Sequence, residues 1–217
     1  LALDFITRIT RAAVKLNISF SRIMTNAVWF KNKRALNAAL RKLYRAGYDG
    51  TIAISFDAVH RQKISKVAAF INMAVKIWNR PDIISLVYTT GMGNQYTGRK
   101  LKILAELLSA RLVSRFGKYI CLKNEFLFIK ISSIRIAPVG KTARVMVPWD
   151  GKWFKEDYCQ GPGNVIAVAP DGSVYHCCGY ATDLDLRRQL VIGNIKKHPP
   201  AELIKNAKSN RFVNTIY

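Results

Sequence analysis

Two cysteines flank a short hairpin-forming stretch of this chain, in the sequence CQGPGNVIAVAPDGSVYHCC. Cys159 is followed by twelve residues, Gly172, four more residues and then Cys177. An Asp-Gly turn between the apolar runs VIAVA and SVYHC predicts a β-hairpin, because glycine accepts the positive φ of a tight turn. The hairpin would carry Cys177 back beside the first strand. Two thiolates gathered in this way suit a soft metal or an iron–sulfur cluster, although a pair of core cysteines on an ordinary hairpin fits the same pattern.

Polar residues also follow three apolar segments that we predict to be strands. They are Thr25-Asn26, Ser55 and Asp57 with His60 nearby, and Thr89-Thr90. In parallel α/β architectures the chemistry gathers at the carboxyl ends of the strands, so these side chains could line one ligand site. Each could instead serve as a turn residue or helix cap. Asp57 could cap the next helix, and His60 could be a surface residue.

The elements that must position these residues alternate regularly through the first 137 residues. The apolar spacing predicts helices at 4–16, 33–46, 63–79 and 99–116, and strands at 20–26, 51–57, 83–89 and 126–136. Such alternation indicates repeated βαβ units, and therefore a parallel sheet with helices outside it. The near-continuous apolar character of the strands is typical of buried parallel strands.

The pattern of predicted elements changes near Pro138-Val139-Gly140. From there the chain is rich in turns and short strands, with a further strand predicted at 190–195 and a helix at 198–212 that opens on prolines. We therefore predict a first domain over residues 1–140 and a second over residues 141–217.

Composition restricts the class of protein. The chain has 217 residues, half of them apolar, so a sizeable core is expected. Lys and Arg number 35 against 13 acidic residues, a net charge of +22 that favours anionic partners, although the charge is spread and also fits a solvated basic surface. No segment has the length of a membrane span or the pattern of a signal peptide. Four cysteines, two of them adjacent, favour a reducing, cytoplasmic setting over a disulfide scaffold.

Several segments in order resemble the radical S-adenosylmethionine enzymes that carry a SPASM or shortened twitch-type C-terminal extension. The cysteine hairpin matches the signature that opens the extension, C-x(9–15)-G-x4-C, and a GNI sequence at Gly193-Asn194-Ile195 follows it. Upstream, MTNAVWF resembles the TNG strand end of the barrel, ISFDAVH the SxD strand end, and IAPVGKTA the P-x-GRA segment near the exit from the barrel. The resemblance covers nearly the whole chain.

The resemblance implies a partial, open (β/α)6-type barrel with parallel strands, followed by a small hairpin-rich extension and a C-terminal helix. It implies S-adenosylmethionine and a [4Fe-4S] cluster in the intact relative, an auxiliary iron–sulfur cluster in the extension, and a peptide or small-molecule substrate. By position, Cys159 and Cys177 would be cluster ligands. Asn26, Ser55 and Asp57 would lie near the cofactor.

The chain also departs from this family. It contains no CxxxCxxC motif and no GGEP-like segment, and it begins with Leu1. We therefore expect a fragment that is catalytic only if an upstream part supplies that motif. A complete auxiliary site would need a further ligand from Cys178, Cys121, His176 or from outside the chain. Two alternatives remain at this point: a cluster-free binding module of the same fold, and a basic nucleic-acid-binding protein with structural cysteines.

Overall fold

The computed structural model describes residues 3–56, 62–90, 94–115, 119–135, 165–177 and 187–216. Its contacts divide the chain into two compact units, Leu1–Ile136 and Ala137–Tyr217. No described helix is long and apolar enough to cross a membrane.

The N-terminal unit alternates helices and strands as far as its fourth helix. Its elements are α1 (Leu3–Lys15), β1 (Arg22–Thr25), α2 (Lys33–Arg45), β2 (Thr51–Ser55), α3 (Ile64–Trp78), β3 (Ile84–Thr90), α4 (Asn94–Leu107), β4 (Arg111–Arg115), β5 (Tyr119–Lys123) and β6 (Phe128–Arg135). The predicted alternation of helices and strands is confirmed up to α4, with most boundaries within one or two residues.

The strands form one six-stranded sheet in the order β1-β2-β3-β6-β5-β4. Strands β1, β2, β3 and β6 run parallel, whereas β5 is antiparallel to β6 and β4 is antiparallel to β5. The described strands thus make an open, mixed sheet with β1 and β4 at its edges. The expected parallel sheet is confirmed in part. A closed or partial barrel is not confirmed.

The core lies between this sheet and the helices α2, α3 and α4. Alternate strand residues such as Ile54, Leu86 and Ile129 are fully buried and belong to one cluster with helix residues such as Leu36 and Ile71. The outer faces of these helices carry mainly charged and polar residues, together with the exposed apolar residues Tyr44, Ile103 and Leu107. This packing fixes the carboxyl ends of β1 and β2 against the start of α3.

The predicted helix 99–116 is wrong in its second half. The helix ends at Leu107, and residues 111–115 pair with β5 instead. Ser109 takes a left-handed φ of +49°, and the amide of Ala110 donates to the Ala105 carbonyl at 2.9 Å, which closes the helix. The apolar spacing continues to Leu112, but there the strand pairing prevails over the helical period, and Leu112 is exposed.

The apolar spacing of α1 predicts a buried face formed by Phe5, Ile9, Ala12, Ala13 and Leu16, but of these only Ala13 is buried. Phe5, Ile9 and Leu16 are all about half exposed or more, while Thr7 and Thr10 are buried. Burial of the two threonines is tolerated because their hydroxyls donate to the carbonyls of Leu3 and Ile6, one turn earlier.

The C-terminal unit has a small antiparallel sheet and short helices. Its described elements are β7 (Ala167–Val168), β8 (Ser173–Tyr175), α5 (Arg187–Leu190), β9 (Val191–Asn194), α6 (Pro200–Lys208) and α7 (Arg211–Ile216). The sheet has the order β7-β8-β9. The hairpin and the C-terminal helical region are confirmed, except that the predicted helix 198–212 is divided in two near Ser209.

Candidate metal centre and polar strand ends

The predicted hairpin is formed by β7 and β8, with Ala167 opposite Tyr175. Gly172 in the turn has a φ of +90°, and its amide donates to the Ala169 carbonyl at 2.9 Å. A side chain on Gly172 would also be crowded, since a Cβ there would lie 2.9 Å from Asn194 Oδ1. The turn thus requires glycine for both its backbone conformation and its packing.

Strand β9 supports the hairpin from the other side. Asn194 Nδ2 donates to the Asp171 carbonyl at 3.3 Å, and Asn194 Oδ1 accepts from the amide of Lys196 at 2.9 Å. Gly193 has a φ of +147°, and a Cβ there would lie 2.6 Å from Leu203 Cδ2 on α6. The GNI sequence therefore allows α6 to pack closely on the sheet and ties β9 to the hairpin turn.

Cys177 lies two residues beyond β8 and is 8% exposed. It packs in a small apolar cluster with Leu190, at the end of α5, and Val213 on α7. Cys159, the other predicted ligand, and Cys178 both lie outside the described residues. The structure thus places one of the two predicted cysteine ligands in a buried, apolar setting.

His176 directly precedes Cys177 and is 7% exposed. Within the described part of the chain, its Nδ1 is buried and has no hydrogen-bond partner. Its backbone amide donates to the Leu190 carbonyl at 2.9 Å. Burial lowers the pKa of the imidazole, because the charged form loses hydration, and this favours the neutral form that can offer a lone pair.

Among the described residues, no three His, Cys, Asp or Glu side chains form a group that could hold a metal ion. Cys121, a further candidate ligand, is buried in β5 of the N-terminal unit. Its Sγ lies 3.5 Å from the Val113 carbonyl on β4, within hydrogen-bond range for a thiol. Of the ligands considered for the auxiliary cluster, the structure describes two in the C-terminal unit, Cys177 and His176.

The second candidate site is at the carboxyl ends of β1 and β2, where Asn26 and Ser55 were predicted to meet. The structure connects them through Gln62, a residue that the sequence did not indicate. Gln62 Nε2 donates to the Asn26 carbonyl at 2.7 Å and to the Ser55 carbonyl at 2.6 Å. Gln62 is 5% exposed, and its Oε1 is buried without a partner among the described residues. Asp57 and His60 lie outside the described residues.

The loop after β1 is held in place by two further side chains. Thr25 Oγ1 accepts from the amide of Ala27 and from Trp29 Nε1, both at 3.1 Å. Lys66 on α3 donates to the Phe30 carbonyl at 2.8 Å, and its ammonium lies 5.1 Å from the centre of the Phe30 ring. These contacts order the segment that carries Asn26. Neither Gln62, which lies between β2 and α3, nor Lys66 on α3 belongs to a motif that sequence reasoning would single out.

The part of the chain that contains the cysteine hairpin matches a known family. Residues 159–216 match SPASM, an iron–sulfur cluster-binding domain. No curated protein and no solved structure gives a significant match to the chain.

The SPASM match begins at Cys159 and contains Cys177, Gly172 of the hairpin turn, Gly193 on β9, and helices α6 and α7. It confirms the SPASM part of the predicted resemblance and implies iron–sulfur cluster binding by this region. The match does not extend into the N-terminal unit, so the likeness of residues 1–140 to a radical S-adenosylmethionine barrel stays a prediction.

Proposed function

We propose that this chain is part of a radical S-adenosylmethionine enzyme and that its C-terminal unit binds an auxiliary iron–sulfur cluster through Cys159 and Cys177. The match of residues 159–216 to the SPASM domain carries this proposal. A soft thiolate donor in a buried position is also the chemistry that such clusters require.

The surroundings of Cys177 suit a cluster ligand. The side chain is buried beside Leu190 and Val213, so a bound cluster would be shielded from water on this side. Shielding and hydrogen bonding around the sulfur atoms set the reduction potential of a cluster. When bound, the cluster would supply electron transfer or a contact to substrate. The protein's own part is to hold the Cys177 thiolate just beyond the end of the hairpin strand β8.

We further propose that the carboxyl ends of β1 and β2 bind S-adenosylmethionine. Asn26, Ser55 and Asp57 would supply hydrogen-bonding groups for the ribose and methionine parts of the cofactor. Gln62 positions the first two of these residues by joining their backbone carbonyls. The lone Oε1 of Gln62 is an additional acceptor at this edge of the sheet.

The catalytic cluster would need a CxxxCxxC motif, which the sequence does not contain. We propose that an upstream part supplies it and that the present chain does not generate a radical by itself. The substrate would be a peptide or small molecule, and the net charge of +22 favours one with anionic groups.

Anaerobic reconstitution with iron and sulfide tests the central part of this proposal. The intact chain should acquire iron, sulfide and visible absorption, and the double variant Cys159→Ala, Cys177→Ala should lose them. Cys121→Ala is the matched control, because it removes a buried thiol of the other unit and should retain the cluster. Failure of the intact chain to bind iron would favour a cluster-free binding module instead.

A further inference from the structure

His176 is a buried imidazole with no evident structural use for one of its nitrogens. The residue is 7% exposed, and its Nδ1 has no hydrogen-bond partner in the described part of the chain. Buried polar atoms are almost always paired, since an unpaired one has lost its water without compensation. An orphaned acceptor of this kind indicates a partner that binds there.

The backbone departs from a regular strand just before His176 and Cys177. A regular strand directs successive side chains to opposite faces. Here the pairing of β8 with β9 shifts register between Val174 and Tyr175, which is the signature of a β-bulge or similar irregularity. The four residues Val174, Tyr175, His176 and Cys177 are all buried, at 2%, 3%, 7% and 8% exposure. Irregularities of this type redirect side chains and are common beside functional sites.

The other histidine described in this unit has a different role. His198 Nδ1 accepts from the amide of Asn194 at 3.0 Å, and so holds the turn after β9. Its nitrogen is occupied by a structural hydrogen bond, whereas that of His176 is not. His198 is therefore a suitable control residue for substitutions of His176.

The chemistry of an auxiliary cluster supplies a partner for this nitrogen. In the proposed function, Cys159 and Cys177 provide two ligands. Cys121 belongs to the N-terminal unit, where its Sγ lies 3.5 Å from the Val113 carbonyl. A neutral imidazole binds iron through its lone pair, and histidine replaces cysteine on iron in some iron–sulfur proteins. The Nδ1 lone pair is available when the ring proton is on Nε2.

We propose that His176 Nδ1 is a ligand to an iron of the auxiliary cluster, together with Cys177 and Cys159. This inference rests on the proposed function, because it requires that the SPASM region binds a cluster. Imidazole is a neutral ligand, whereas thiolate carries a negative charge. A cluster with one histidine ligand is therefore easier to reduce than one with cysteine in that place.

Pulsed electron paramagnetic resonance on the reduced cluster of the full chain tests this inference. The intact protein, prepared with histidine labelled with heavy nitrogen, should show a strong hyperfine coupling from a directly bound nitrogen. His176→Ala should lose that coupling. The chain has three histidines, and His198→Ala and His60→Ala should each retain it.

The variant His176→Cys provides a second measurement that does not depend on an empty ligand position. It should bind the cluster in full and show a lower midpoint potential than the intact protein, while His198→Ala leaves the potential unchanged. A cluster that forms without a directly bound nitrogen, or whose coupling survives in His176→Ala, overturns this inference alone. Absence of any cluster in the intact chain overturns both this inference and the proposed function.

Discussion

We expect Gln62 to be important for the stability of the N-terminal unit. Its Nε2 donates to the carbonyls of Asn26 and Ser55, and thereby joins the ends of β1 and β2. The substitution Gln62→Glu preserves the size of the side chain but replaces the amide donor by a carboxylate oxygen. Facing two carbonyl oxygens in a buried position, the introduced carboxyl should remain protonated in the folded state.

The expected cost follows from this protonation. Loss of one of the two hydrogen bonds costs about 1 kcal/mol. Keeping a carboxyl with an ordinary pKa of about 4.3 protonated at about pH 7 costs up to about 3.7 kcal/mol, at roughly 1.36 kcal/mol for each pH unit. We therefore expect the free energy of unfolding to fall by about 3–5 kcal/mol at neutral pH.

The stability of the Gln62→Glu variant should depend on pH in a defined direction. The folded-state pKa of the introduced carboxyl is raised above its unfolded value. Below about pH 4.3 the variant should thus lie within about 1 kcal/mol of the intact protein, and it should lose stability steadily as the pH rises from there towards the raised pKa.

Urea unfolding at several pH values measures the effect, with Gln189→Glu as the control, because Gln189 is exposed. A Gln62→Glu variant whose stability relative to the intact protein is independent of pH, or unchanged at neutral pH, would refute the role assigned to Gln62.

Three further predictions concern stability. Burial raises the pKa of Tyr48 to about 12, so stability should fall as the pH rises from about 10 through that value, and Tyr48→Phe should remove this dependence in alkaline unfolding experiments. Ser109→Gly should raise the free energy of unfolding by up to about 1 kcal/mol in urea, since glycine tolerates the left-handed φ of +49°; a loss of stability would contradict the described end of α4. Phe5→Ser should change the free energy of unfolding by less than about 0.5 kcal/mol because Phe5 is exposed, whereas Leu36→Ala should lower it by about 2–5 kcal/mol because Leu36 is buried. Equal effects of the two substitutions in thermal unfolding would contradict the orientation of α1.

Much of the N-terminal fold could be predicted from sequence because local and tertiary preferences agree there. In α2, Leu36, Leu40 and Leu43 recur at helical spacing, and all three are buried in the structure. The segment 111–115 could not be predicted in this way. Its apolar spacing continues that of α4, and its pairing with β5 is a tertiary interaction that no local pattern records.

The same distinction between local sequence and tertiary contacts applies to the candidate sites. The hairpin was predictable because Gly172 and its neighbours specify a turn by local chemistry. Gln62 was not predictable, because its importance comes from two carbonyls that belong to separate strands and meet only in the folded sheet. Likewise, the orphaned Nδ1 of His176 is a property of burial, which the sequence beside Cys177 does not reveal.

Native mass spectrometry of the anaerobically reconstituted chain tests the central claim most directly, because it counts the iron and sulfide bound to each molecule. We predict that the intact chain and Cys121→Ala carry one cluster and that Cys177→Ala carries none or an incomplete one. An intact chain found only at its bare mass, or a Cys177→Ala variant that binds the full cluster, would contradict the assignment of this hairpin as an iron–sulfur site.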